Sequence, residues 1–378
     1  MTSQSRFSAL AAPGVRGLHP YQPGKPIEEL EREYGVSDTL KLASNENPLG
    51  PPAAALAAIR DAAATLNLYP DGAGHLLKLR LAERHGVAPE QITLGNGSND
   101  VLVLLAETFL TPELEAVYDR HAFVVYALAV QEAGATARMA VSLPATDPAQ
   151  PLGHDPHALA ECCGPLTRLV YVANPNNPTG TWLSETAIRW MLDELPPDAL
   201  LVLDEAYAEY VSEGGYPDGV ALLADYPNLV VTRTFSKAFA LAGLRIGYAV
   251  SHPEVAELMN RVRQPFNTST LAQAAALAAL EDREFIDRSR TLNAEGLQQL
   301  TGGLRSMGLG VPPSVGNFVL ADLGRPVAPV YEALLREGII VRPVGNYGLP
   351  NHLRITVGLP EQNERLLAVL PRCLESGL

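Results

Sequence analysis

Lysine is nearly missing from this chain of 378 residues: it occurs only at Lys25, Lys41, Lys78 and Lys237, and arginine supplies the other basic side chains. Cysteine is limited to Cys162, Cys163 and Cys373, too few and too poorly spaced for a disulfide framework or a zinc site. They read as unremarkable small residues and fit a reducing cytoplasm. Positive charge as a whole is in deficit, with a formal net charge of -14. Such a surface does not neutralise phosphates, which excludes nucleic acid as a partner. No apolar run approaches the about 20 residues of a membrane span, and residues 271–280 read as an alanine-rich helix. Acidic residues are absent before Glu28, but no export-type apolar core lies there either, so the stretch is expected to be a mobile arm. It is rich in Pro, Gly and Ser and should run extended over the surface.

What is present is a repeated grammar. Short apolar strands at residues 91–94, 116–118, 168–173, 200–203 and 229–232 alternate with helical stretches, the pattern of a mainly parallel sheet covered by helices on both faces. After residue 265 the character shifts. Residues 268–304 read as helical with a break near Asp282, followed by short strands at 316–321, 339–342 and 353–357 and helices at 327–337 and 361–370. The expected architecture is α/β: a large domain, residues 43–267, with its parallel sheet sandwiched by helices, and a smaller α+β domain. The smaller one is expected from residues 1–42, arm included, and 268–378. Each strand of the large domain is followed by a polar, turn-forming cluster. In open α/β sheets that edge is where ligands bind, so five clusters should converge on one crevice.

Lys237 lies in Val230-Val231-Thr232-Arg233-Thr234-Phe235-Ser236-Lys237-Ala238-Phe239, the one lysine in an apolar neighbourhood. Burial disfavours the ammonium, and an amine with a lowered pKa is what forms an imine with a carbonyl compound. Gly95-Asn96-Gly97-Ser98-Asn99 opens a helix directly after a strand and offers free N-H groups to an anion, although it reads equally as an ordinary turn and lacks the third glycine of a dinucleotide site. Ser236 and Arg245 flank the lysine and could bind the same anion, Arg245 being otherwise a structural ion pair. Asp204 ends an apolar strand, so its carboxylate needs a cation or strong donors. Tyr207 and Asn177 offer hydrogen bonds to a phenolate-type oxygen. Phe123, alone a core residue, gives an aromatic face for a flat ring. A ligand with a phosphate, a carbonyl, a basic ring nitrogen and a ring oxygen meets all of these, and pyridoxal 5'-phosphate fits.

Through PYQPGKP, SNENPLGP, LYPDG, NPNNPTG, DEAY, RTFSKAFALAGLRIGY, PFN, NF and LRITVG, nearly the whole chain resembles the fold-type I aminotransferases, and among them the histidinol-phosphate aminotransferases. The resemblance implies transamination of L-histidinol phosphate with 2-oxoglutarate, to imidazole acetol phosphate and L-glutamate, in histidine biosynthesis. It implies that Lys237 carries the cofactor and moves the proton, that Asp204 keeps the ring nitrogen protonated, and that Tyr207 and Asn177 hold the ring oxygen. Ser98 and Asn99 by backbone, with Thr234, Ser236 and Arg245 by side chain, would bind the cofactor phosphate, and Phe123 would stack on the ring where many relatives carry tyrosine. Arg354 would bind the carboxylate of glutamate and, with Arg342, Tyr21 and Asn177, the substrate phosphate; Arg342 is otherwise a surface charge. Tyr69 would reach the neighbouring site of a cytoplasmic homodimer. Aromatic amino acids as substrates, a lyase action such as threonine-phosphate decarboxylation, and a sensor without catalysis use the same motifs. A sensor usually adds a DNA-binding segment, for which the stretch before the first helix is too short and too little basic.

Overall fold

A computed structural model describes residues 6–20 and 24–376. The strands among them are β1 (Leu40–Lys41), β2 (Ile92–Gly95), β3 (Glu115–Asp119), β4 (Thr136–Ala140), β5 (Thr167–Ala173), β6 (Leu200–Asp204), β7 (Leu229–Thr234), β8 (Gly247–Ser251), β9 (Phe318–Asp322), β10 (Ile339–Ile340), β11 (Arg342–Pro343) and β12 (His352–Thr356). Seven of them form one sheet in the order β2-β8-β7-β6-β5-β3-β4. Only β8 runs against its neighbours; β2 and β7 both pair with it antiparallel and therefore run the same way as each other. The carboxyl ends of β2, β3, β5, β6 and β7 thus share one edge.

The central strands are continuous apolar runs because both faces are covered. Along β5, Leu169, Tyr171 and Ala173 pack under the helices Ser98–Phe109, Val124–Glu132 and Pro253–Val262. Val170 and Val172 face the opposite way, toward the helices His75–His85, Glu185–Glu194 and Thr270–Glu281. This is the two-residue alternation of a strand used on both sides.

A separate apolar cluster around Leu300, Val319, Val341 and Leu353 underlies the antiparallel sheet β11-β12-β9. The parallel pair β1 and β10 joins the early chain to this region, and Leu42 continues the pairing by donating to Ile340 O at 2.7 Å and accepting from Thr356 N at 2.9 Å. Those bonds fix where residues 43–47 enter the crevice.

Several expectations are corrected. The helical run does break at Asp282, whose carboxylate accepts from Phe285 N at 3.0 Å and caps the helix Arg283–Ser306. The change of core, however, falls inside that helix rather than at residue 268, since Ala272, Ala276, Phe285 and Ile286 all pack with the large sheet. The small side chains of Thr270–Glu281 allow close approach to the helix Ala53–Ala62, which holds it there. The arm is helical at Arg6–Leu10 and Pro13–Arg16 instead of extended. Proline suits the first turn of a helix, and Gly14 lies so close to the helix Val124–Glu132 that a Cβ there would meet Gln131 O at 2.1 Å. Strands β4 and β8 escape the alternation argument: β4 is an exposed edge strand and β8 is the one that reverses direction.

Glu205 and Arg233, on the loop after β6 and on β7, tie these strands together. Arg233 Nε and Nη2 lie 2.9 and 2.6 Å from Glu205 Oε2, and Glu205 is fully buried. Burial lifts this carboxyl to about 7, against the pull of the Arg233 guanidinium. Glu205→Ala removes the nearer of two buried carboxylates that face that guanidinium, Glu209 Oε1 remaining at 3.6 Å, and urea denaturation should show a loss of about 3 kcal/mol; an unchanged midpoint would show that the pair does not brace the strands.

Candidate active site

The shared edge opens into a cleft bordered by Ser98, Phe123, Asn177, Asp204, Lys237 and Arg354, each from a different segment. Lys237 follows β7, and its Nζ donates to Ser44 O at 3.1 Å. Burial pushes its amine down to about 7, helped by the Arg354 and Arg245 guanidiniums and opposed by Glu46 and Asp204. A lowered amine pKa brings the uncharged, nucleophilic form within reach near neutral pH.

Asp204 ends β6. Its Oδ2 accepts from Tyr126 Oη at 2.8 Å and its Oδ1 from Thr232 Oγ1 at 2.9 Å. Burial raises this carboxyl, while the two hydroxyls and the Ala206 amide hold it down. All three donors are neutral, so a cation arriving opposite Asp204 would complete the site. Tyr207 is buried, which pushes its phenol up to about 12, and its oxygen accepts from Asn45 Nδ2 at 2.9 Å. Arg354 donates from Nη1 to Asn177 Oδ1 and from Nη2 to Ala43 O, each at 2.5 Å. Its buried Nε has no hydrogen-bond partner among the described residues. Arg342 lies on the same wall, half-buried.

The anion cradle is built by close approach. Gly97 sits at φ +89, and a Cβ on it would come within 2.3 Å of Arg245 Nη2. Thr234 Oγ1 donates to Ser236 Oγ at 3.0 Å, and Arg245 Nη1 donates to the same oxygen at 3.3 Å. Ser98 and Asn99 open the helix Ser98–Phe109 beside them, adding amide N-H groups at its positive end. Phe123 lines the cleft and meets Tyr126 edge-on at 5.9 Å.

The expected residues thus gather in one cleft with two exceptions. Tyr69 is 82% exposed, stacks on Phe266 at 4.7 Å and lies outside the cleft of its own chain. Tyr21 lies outside the described residues. Reasoning from sequence missed Tyr126, Thr232 and Asn45. The first two occur in apolar runs where nothing marks them; Asn45 stands in Ser44-Asn45-Glu46-Asn47-Pro48, a polar turn that carried the resemblance but no assigned role.

The family profile described as "Aminotransferase class I and II" matches residues 37–370. The chain belongs to the class I and II aminotransferase family. Among its relatives, two proteins named "Histidinol-phosphate aminotransferase 2" from two strains of Pseudomonas fluorescens are 55% and 54% identical to it, covering 97% and 98% of this chain and 98% and 99% of theirs. Among solved structures, the histidinol-phosphate aminotransferase from Sinorhizobium meliloti in complex with pyridoxal 5'-phosphate superposes with a TM-score of 0.88 at 30% identity, over 99% of both chains. The cleft of this class I and II aminotransferase thus holds a buried amine, a buried carboxylate bonded by neutral donors and an anion cradle at a helix N-terminus.

The depressed amine is directly measurable. Competitive acetylation of the cofactor-free protein, read peptide by peptide, should give Lys237 a titration midpoint near pH 7, reactivity falling below it as the amine takes up a proton. An ordinary midpoint of about 10 would show that the cleft does not desolvate it.

Proposed function

We propose that this cleft holds pyridoxal 5'-phosphate and catalyses transamination between L-histidinol phosphate and 2-oxoglutarate, releasing imidazole acetol phosphate and L-glutamate. The observation that carries this reading is the buried Arg354, with an unbonded Nε, in the same cleft as the near-neutral Lys237. An amino donor and an anion-bearing substrate can be served there together. The relatives' name supports the choice of amine.

When bound, the cofactor supplies an aldehyde that takes and returns amino groups and a ring that draws electrons from the adjoining carbon. Lys237 Nζ would hold the cofactor and, once displaced, would take the proton from the amine-bearing carbon of the substrate and return it to the carbon on the far side of the amine nitrogen. Asp204 holds a proton on the ring nitrogen, which also neutralises its own buried charge. Tyr207 and Asn177 bind the ring oxygen, and Phe123 covers one ring face. Ser98, Asn99, Thr234, Ser236 and Arg245 bind the cofactor phosphate. Arg354, with Arg342 and Tyr21, binds the carboxylate of the keto acid in one half of the cycle and the substrate phosphate in the other, since a planar guanidinium suits both anions.

The reading includes a cytoplasmic homodimer in which Tyr69 reaches the cleft of a second copy. The exposed apolar strip of Leu66, Leu68, Tyr69 and Phe266 supports it. The three free cysteines are consistent with a reducing compartment. Among the described residues no helix is long and apolar enough to cross a membrane, and no group of side chains could hold a metal ion.

Turnover of histidinol phosphate with 2-oxoglutarate should exceed that of phenylalanine, and the reverse preference would reassign the amine. Lys237→Ala should abolish turnover, whereas Asp204→Ala should keep the cofactor bound and lower kcat by at least about a hundredfold. Full activity in either variant would remove the proposed roles.

A further inference from the structure

Asn45 is bonded through every polar atom it has. Its backbone N-H donates to Thr356 Oγ1 at 2.9 Å, its carbonyl accepts from Asn317 Nδ2 at 2.9 Å, its Oδ1 accepts from Thr356 Oγ1 at 3.1 Å and its Nδ2 donates to Tyr207 Oη at 2.9 Å. The residue is 1% exposed and sits at φ +56, a left-handed backbone that asparagine tolerates better than most side chains. Its neighbours join the same crossing point, since Arg354 donates to Ala43 O and Lys237 to Ser44 O.

The direction of these bonds follows from counting donors. Thr356 Oγ1 already accepts the Asn45 amide, so its single proton is available for Asn45 Oδ1. That bond settles which end of the side-chain amide faces Thr356 and leaves Nδ2 toward Tyr207. With the amide reversed, the buried Thr356 hydroxyl would lose its acceptor in this set, which is costly. Tyr207 Oη therefore accepts a hydrogen bond from Asn45, and no other hydrogen-bond partner of that hydroxyl is found among the described residues. A phenol has one proton to give. Tyr207 cannot give it to Nδ2, which leaves it for an acceptor in the cleft that Tyr207 lines.

We infer that Asn45 is a positioning residue that fixes the hydroxyl of Tyr207 as a donor toward the cleft, anchored by Thr356 and Asn317 on the antiparallel sheet β11-β12-β9 and its approach. The inference rests on the reading that Tyr207 meets the ring oxygen of the cofactor. It gives the second sheet a part in setting the chemistry of the first: a donor held on that oxygen draws electron density from it and lowers the proton affinity of the adjoining nitrogen. Asn45→Gly removes the amide without charge and suits the left-handed backbone. Asn45→Asp keeps the shape and the bond from Thr356 but presents an acceptor to Tyr207.

The test is a pH titration of the visible absorption band of the cofactor-loaded protein. Tyr207→Phe should move its midpoint up by about one pH unit, a tenfold change in proton affinity. Asn45→Gly should move it up by about half a unit, roughly threefold, and should have no effect when added to Tyr207→Phe. Should Asn45→Gly fail to fold, Asn45→Asp gives the same comparison, its shift being larger with Tyr207 present than with phenylalanine there. Equal shifts in the two backgrounds, or none beside a shift from Tyr207→Phe, would overturn the inference alone. No shift from Tyr207→Phe would overturn the reading of Tyr207, and this inference with it.

Discussion

The common direction of five strands is the constraint from which the site follows. Because β2, β3, β5, β6 and β7 all end at one edge, the segments after them arrive at one crevice although they lie far apart in the chain. The antiparallel β8 preserves this arrangement, since it reverses direction between β2 and β7 and leaves both pointing the same way. A site with one residue from each of several loops needs no other organising device.

Desolvation then sets the chemistry, acting with opposite sign on opposite charges. The same burial that pushes the Lys237 amine down to about 7 raises the Asp204 carboxyl. Both shifts disfavour charge in the bare protein. A bound group with a carbonyl for the amine and a protonated nitrogen for the carboxylate relieves both at once. Arg354 adds to the depression of Lys237, so the guanidinium that would bind a substrate anion also helps keep the amine reactive. An anion seated on Arg354 would weaken that effect.

Most of the fold was legible because its signals are local and repeat. Alternating apolar strands and helices give the parallel sheet, and the stop at Asp282 is written as an N-cap. The exceptions are physical. Strand β4 is an exposed edge with little apolar pattern, and β8 departs from the alternation that revealed the others. The helix Thr270–Glu281 was assigned across the wrong boundary because an alanine-rich surface does not say which neighbour it packs on. In the site, residues at strand ends could be read from their position. Tyr126 could not, since its hydroxyl matters only where its helix turns toward Asp204, and the work of Asn45 depends on Thr356, 311 residues away.

The central claim is that one buried amine, among four lysines, is where the cofactor is held. Borohydride reduction of the cofactor-loaded protein, followed by peptide mapping, tests it most directly. The account predicts a single labelled peptide carrying the modification on Lys237, with Lys25, Lys41 and Lys78 unmodified. Label on any of those three in place of Lys237, or a bound cofactor that no reduction attaches, would contradict it.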